Sequence, residues 1–259
     1  MEKALFKNYY ISDIYFYQEG PGVRKWQFTN EGVKLLNVGN INNGRIDLSS
    51  TKVNISEKEA FGKYSHFLID EGDLLIACSG IVVDNFHNKI AFVNKENLPL
   101  CLNTSTMRFK QLPEKKGELT YLKYFLQTNH FKDQLSKLIT GSAQLNFGPS
   151  HIRKIEIPLP SLAAQQKIAA ILDKADELLQ YNQQLIAKYD ALRQSLFLDM
   201  FGDPVRNEKD WKTKTIEQLV SKNRYSLKRG PFGGALKKEI FVANGYLVYE
   251  QYHALNNDF

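Results

Sequence analysis

From Ser161 the chain runs for some forty residues, "SLAAQQKIAAILDKADELLQYNQQLIAKYDALRQSLFLDMF", without a proline or a glycine. No other stretch limits the possible folds as strongly. Proline and glycine are the residues that end helices, so their absence over this length predicts one continuous helix. Pro158 and Pro160 hold the approach extended, which places Ser161 as the N-cap. Three residues on stands Ala164, where a full capping box has Glu or Gln, so the start is only half signalled. Gly202-Asp203-Pro204 closes the helix. A helix over 161–199 is about 58 Å long at 1.5 Å per residue.

Apolar positions along it alternate by four and three: Ile171, Ala175, Leu178, Asn182, Leu185, Tyr189, Leu192 and Leu196. That is a heptad seam sustained over more than three heptads. A second stripe, Ile168, Leu172, Leu179 and Ile186, lies beside it. The combined face is wider than a simple two-stranded seam. It is expected to bury itself against another helix and a further partner surface, with a homodimer through the helix as the expected assembly. Asn182 either fixes register, as buried polar residues do, or sits at a solvated end of the interface.

Charge separates the rod from what flanks it. Residues 1–154 carry 20 Lys/Arg against 15 Asp/Glu, residues 155–204 carry 4 against 7, and residues 205–259 carry 10 against 6. Two basic pieces therefore flank an acidic helix, and basic globular pieces suit a polyanion. The longest apolar run is far short of the ~18 residues of a membrane span. The N-terminus "MEKALFKNYYISD" has no signal core. Two cysteines, Cys78 and Cys101, fit a reducing compartment, so a cytoplasmic location with no membrane is expected.

Residues 1–157 read as an α+β globular domain. "VKLLNV" (33–38), "DLLIAC" (73–78), "KIAFV" (89–93), "STMRF" (105–109) and "IEIPLP" (155–160) look like strands. Residues 118–140 look like one amphipathic helix, and 140–150 like a polar loop. The rod occupies 158–204. Residues 229–255 repeat the order of features in 19–41: Gly-Pro, a further glycine, basic residues, aromatics and a strand-like run. A second copy of the first domain is thus expected to begin within 205–259 and to be incomplete there.

Catalytic parts are not visible. There is no Asn/Asp-Pro-Pro-aromatic methyltransferase motif, no FxGxG cofactor loop and no P-loop. His66, His87, His130, His151 and His253 show no metal spacing with the cysteines. Glu114-Lys115-Lys116 fits a short nuclease-like Glu-x-Lys pattern, but in a turn-like setting where a solvated loop is the ordinary reading. A non-enzyme with no cofactor and no metal is expected.

Four stretches carry a family resemblance: "GDLLIACSG" (72–80), "NTSTMRF" (103–109), "TGSAQLNFGPSHIRKIEIPLPSLAAQQKIAAILDKADEL" (140–178) and "GPFGGALKK" (230–238). Through them the chain resembles the specificity (S) subunits of type I restriction–modification enzymes. It departs at Ala164, where the family usually has Glu, and one recognition domain, one long helix and the start of a second domain are expected where the family has two domains and two long helices. The resemblance implies a target recognition domain reading one half of a bipartite double-stranded DNA site. It also implies a coiled-coil rod that sets spacing and docks methyltransferase (M) and restriction (R) subunits. Under that reading the DNA-binding candidates are Arg24, Lys25 and Gln27 in the first glycine loop and Ser79 and Gly80 after the strand. Thr140, Gly141, Ser142, Gln144 and Asn146 in the TGS loop join them. The competing reading is a coiled-coil adaptor whose basic domain is not specific for DNA.

Overall fold

Long-range partners, more than local periodicity, set the strands of this chain, because most are only two to six residues long. A computed structural model describes residues 6–49, 51–114, 116–139, 146–223, 226–227 and 236–256. The chain divides into two compact units, residues 1–186 and 187–259. The first unit opens with β1 (Asn8–Tyr10), α1 (Ile11–Ile14), β2 (Tyr15–Glu19), β3 (Phe28–Thr29) and β4 (Val33–Leu36). It continues through β5 (Ile41–Asn42), β6 (Arg45–Ile46), β7 (Asn54–Ile55), α2 (Glu57–Phe61), β8 (Leu74–Ala77), β9 (Ile90–Phe92), β10 (Leu100–Leu102) and β11 (Thr106–Gln111). Then come α3 (Leu119–Gln127), α4 (Asn129–Leu138), α5 (Pro149–Ile152), β12 (Glu156–Pro158) and the rod α6 (Leu162–Phe201).

Two four-stranded sheets lie at the centre, in the orders β2-β11-β8-β9 and β10-β4-β7-β3. Only β10–β4 is parallel, and no βαβ unit organises either sheet, so the class is α+β. Alternation along the strands builds three apolar layers. Leu74 and Ile76 of β8, with Met107 and Phe109 of β11, face α3 and α4. Leu75, on the other side of β8, meets Leu36, Leu100 and Leu102 between the sheets. Val33, Leu35 and Cys101 face outward again, under Ala60 of α2 and Tyr64. The expected strands at 73–78, 89–93, 105–109 and 155–160 are present as β8, β9, β11 and β12. The strand expected over 33–38 stops at Leu36, because Val38–Asn40 turns into a 3-10 helix held by Asn40.

The single helix expected over 118–140 is two helices. Thr128 is extended (φ −71, ψ 153), and its Oγ1 accepts from the Phe131 N–H at 3.2 Å to cap α4. Its own N–H closes α3 on the Phe125 carbonyl at 3.0 Å. The break lets Phe125 and Phe131 enter one core, with ring centroids 5.9 Å apart.

The rod begins and ends as its signals require. The Ser161 carbonyl accepts from the Gln165 N–H at 2.9 Å, and its hydroxyl from Ala164 at 3.4 Å. Gly202 ends it at φ +76, a left-handed conformation natural to glycine. In the second unit the last α6 carbonyls find side-chain donors. Lys209 Nζ reaches Met200 O at 3.1 Å, and Trp211 Nε1 reaches Phe201 O at 2.8 Å. Beyond them lie α7 (Ile216–Leu219) and α8 (Gln251–Asn256), with no strand among the described residues. Residues 228–235, which carry the second Gly-Pro, lie outside the described residues.

Candidate nucleic-acid interface and rod face

β2 and β8 both run antiparallel to β11, so they run parallel to each other and end at the same edge of the first sheet. Met107 pairs with Glu19 and Thr106 with Ala77. The loops after β2, after β8 and before β11 therefore share one end of the domain. Residues 146–148 join them, because Phe147 N–H bonds to the Cys78 carbonyl at 2.9 Å. Backbones crowd here: a Cβ on Gly20 would stand 2.1 Å from the Asn103 carbonyl oxygen.

At this end the structure brings Ser79, Gly80 and Asn146 together. The Ser79 hydroxyl donates to Asn146 Oδ1 at 2.7 Å and the Gly80 N–H donates to the same oxygen at 2.8 Å. Gly80 takes φ +67, with open space where a side chain would be. Asn146 is exposed, and its oxygen ties two loops into one surface. Thr140, Gly141, Ser142 and Gln144 lie outside the described residues.

Gln27 is placed elsewhere. It is buried, its Nε2 donates to Glu59 Oε1 at 2.8 Å and to the Tyr64 hydroxyl at 3.0 Å, and its oxygen accepts from Arg24 N–H at 3.1 Å. Its amide thus shapes the glycine loop from inside. Arg24 and Lys25 stay exposed, and Trp26 between them and Gln27 is 82% exposed.

Sequence reasoning missed two further features. The β5–β6 hairpin turns at Asn43 (φ 50) and Gly44 (φ 70), and the Asn-Gly pair was its available signal. Lys89 Nζ holds it, donating to Ile41 O at 2.9 Å and Asn42 Oδ1 at 2.6 Å, so this lysine serves the fold. Asn103 Nδ2 donates to Asn37 Oδ1 at 2.8 Å, which joins the ends of the neighbouring strands β10 and β4.

The base of the rod is fastened to the same domain. Gln165 is fully buried. Its Oε1 accepts from Glu118 N–H at 2.9 Å, and its Nε2 donates to Lys116 O and Pro160 O, both at 2.9 Å. One turn pair further on, the Tyr124 hydroxyl donates to Asp173 at 2.7 Å and Asp176 at 3.0 Å, with Lys123 Nζ 3.3 Å from Asp176. Burial first, then the two carboxylates, push the Tyr124 hydroxyl pKa above the usual phenol range. Gln165→Ala is expected to cost about 1–3 kcal/mol, since it orphans a buried N–H and two carbonyls. Urea unfolding of the wild-type and variant chains measures it.

Beyond that joint the predicted partner face stands bare. Ile171, Leu172, Ala175, Leu178, Leu179, Asn182, Ile186, Tyr189, Leu192 and Leu196 are exposed, and Ile168 and Leu185 are half-buried. Monomeric proteins rarely expose so continuous an apolar stripe.

Glu114 pairs with Lys116 at 3.3 Å with both side chains mostly exposed, and Lys115 lies outside the described residues. Burial pushes the Cys78 and Cys101 thiols up to about 12, which keeps both protonated at neutral pH. Among the described residues no His/Cys/Asp/Glu cluster has metal-holding geometry, and no helix is long and apolar enough to cross a membrane.

The type I restriction modification DNA specificity domain matches residues 5–189, and the chain belongs to that family. Its relatives include the Type I restriction enzyme MjaVIII specificity subunit of Methanocaldococcus jannaschii, 27% identical over 170 residues, which are 66% of this chain and 39% of that protein. The Type I restriction enzyme EcoAI specificity subunit of Escherichia coli is 25% identical over 172 residues, 66% of this chain and 28% of that one. The chain thus spans well under half the length of these relatives. Two solved structures share the fold. One, titled for complex assembly and conformational transition of the type I R-M system, gives a TM-score of 0.55 at 16% identity, covering 76% of this chain and 44% of that one. The HsdS subunit of Thermoanaerobacter tengcongensis gives 0.52 at 16% identity, covering 78% and 46%.

Proposed function

We propose that this chain is a non-catalytic DNA-recognition subunit of a type I restriction–modification enzyme, working in the cytoplasm. Its globular domain reads one half of a bipartite duplex site. Its rod pairs antiparallel with that of a second copy and docks the methyltransferase and restriction subunits. The observation that carries the reading is the family match across both parts, the domain and the rod fastened to it through Gln165. Ser79, Gly80 and Asn146 support a reading surface at the sheet end, with Arg24 and Lys25 as exposed cations for phosphate.

Duplex binding should fall steeply with salt, because each neutralised phosphate releases counterions. A protein neutralising about six phosphates loses roughly a thousandfold in affinity between 50 and 200 mM salt. Lys25→Ala should weaken all duplex sequences about equally and lower the salt slope by about one. Fluorescence anisotropy with labelled duplex across a salt series tests both. Binding indifferent to salt would favour the adaptor reading.

A further inference from the structure

An apolar groove of about 440 Å³ runs between α3 and the first turns of α6. Tyr121, Tyr124 and Phe125 form one wall, and Ile168 and Leu172 the other. Those last two residues also begin the second stripe of the rod, so the groove continues the bare face.

The seam indicates what covers it. Its spacing reads the same from either end. About a point between Gln183 and Gln184, Ile171 maps onto Leu196, Ala175 onto Leu192, Leu178 onto Tyr189 and Asn182 onto Leu185. Two copies of α6 laid antiparallel about that point match every seam position with a seam position. The same register sets Leu179 against Ile186 on one flank. On the other it sets Tyr181 beside Lys188 and Lys174 beside Ser195, so no lysine faces a lysine.

In this register Phe197 of the second copy comes level with Ala170, midway between Ile168 and Leu172. It lies on the flank of Leu172 and Leu179, the side on which α3 packs through Tyr124, Asp173 and Asp176. Phe197 is 49% exposed in the single chain and lies tilted against Phe201, centroids 5.1 Å apart. Arg193, one turn before it, arrives beside Asp173 and Asp176, two carboxylates that share the Tyr124 hydroxyl and one cation, Lys123.

We propose that the α3–α6 groove is the seat of Phe197 from a second copy of this chain. Each reading domain is then gripped by the far end of the partner's rod, in addition to the seam. This rests on the antiparallel pairing proposed above.

Two chains test it, each with Cys78 and Cys101 replaced by Ser and one cysteine added, Gln127→Cys in the groove wall or Phe197→Cys on the rod. Under mild oxidation a disulfide-linked dimer should form when the two chains are mixed, and not from either alone. A dimer by light scattering with no mixed cross-link would overturn the groove assignment and leave the pairing standing. Cross-linking of Phe197→Cys with itself would mean parallel rods, and a monomer would mean no pairing; either overturns both. Independently, Phe197→Asp should weaken dimerisation at least tenfold. Leu198→Asp, on the face turned away from the partner, should change it less than twofold, and equal effects would sink the assignment.

Discussion

Leu178→Asp combined with Leu185→Asp is expected to leave the chain monomeric at micromolar concentration. Leu178 is 55% exposed and Leu185 half-buried in the single chain, so the substitutions cost the monomer less than they cost the pair. In the pair each aspartate enters the seam, Leu178 opposite Tyr189 and Leu185 opposite Asn182, and symmetry puts four carboxylates into the central layers. A buried unpaired charge costs several kcal/mol, so a loss of about a thousandfold or more in dimer affinity is a modest expectation. Light scattering of the wild-type and double-variant chains decides it. A stable wild-type monomer with no partner added would remove the reason for the bare face.

Deleting one heptad, Gln183 through Tyr189, is expected to move the two half-sites closer without changing either. The deletion keeps the seam in phase, and the shortened seam still reads the same from both ends. It brings the two domains about 10 Å closer at 1.5 Å per residue. At 3.4 Å per base step that is a gap shorter by up to about three base pairs. Two identical readers about a two-fold axis present an interrupted palindrome. Methylation mapping with both chains, in complex with a methyltransferase subunit, reads the gap directly. An asymmetric wild-type site would mean pairing with a different S-type chain. An unchanged gap would mean that the rod does not set the spacing.

The rod was legible because its signals are local. A cap at Ser161, a stop at Gly202 and a period of three and four need no knowledge of the rest of the chain. The same holds for β8, which is apolar over a full strand, and for β11, where Met107 and Phe109 alternate with polar residues. Strands such as β3, β5 and β7 hold two residues each, too few for a period to show, and only pairing partners define them. Thr128 split a helix whose apolar pattern ran straight through, because a hydroxyl cap competes with the helix only once Phe131 has a core to enter. Polar side chains were hardest to assign. Gln27, expected at the DNA surface, and Gln165, not singled out, are both buried, and nothing in sequence separates an amide bonded inward from one facing solvent.

The fastening at Gln165 sets a mechanical tolerance. From there to the proposed two-fold point is about 28 Å along the helix. At that arm length each degree of tilt moves the axis by about half an ångström and the far reader by about one. Some three degrees of play at the joint would therefore carry the far reader sideways, off the line of the duplex, by about the length of one base step. A three-bond amide, a tyrosine shared by two aspartates and a lysine beside them hold that angle more tightly than apolar packing alone, which lets helices slide and rock. In such a protein rod length sets the spacing, and the stiffness of one joint limits how well the two readers stay in line.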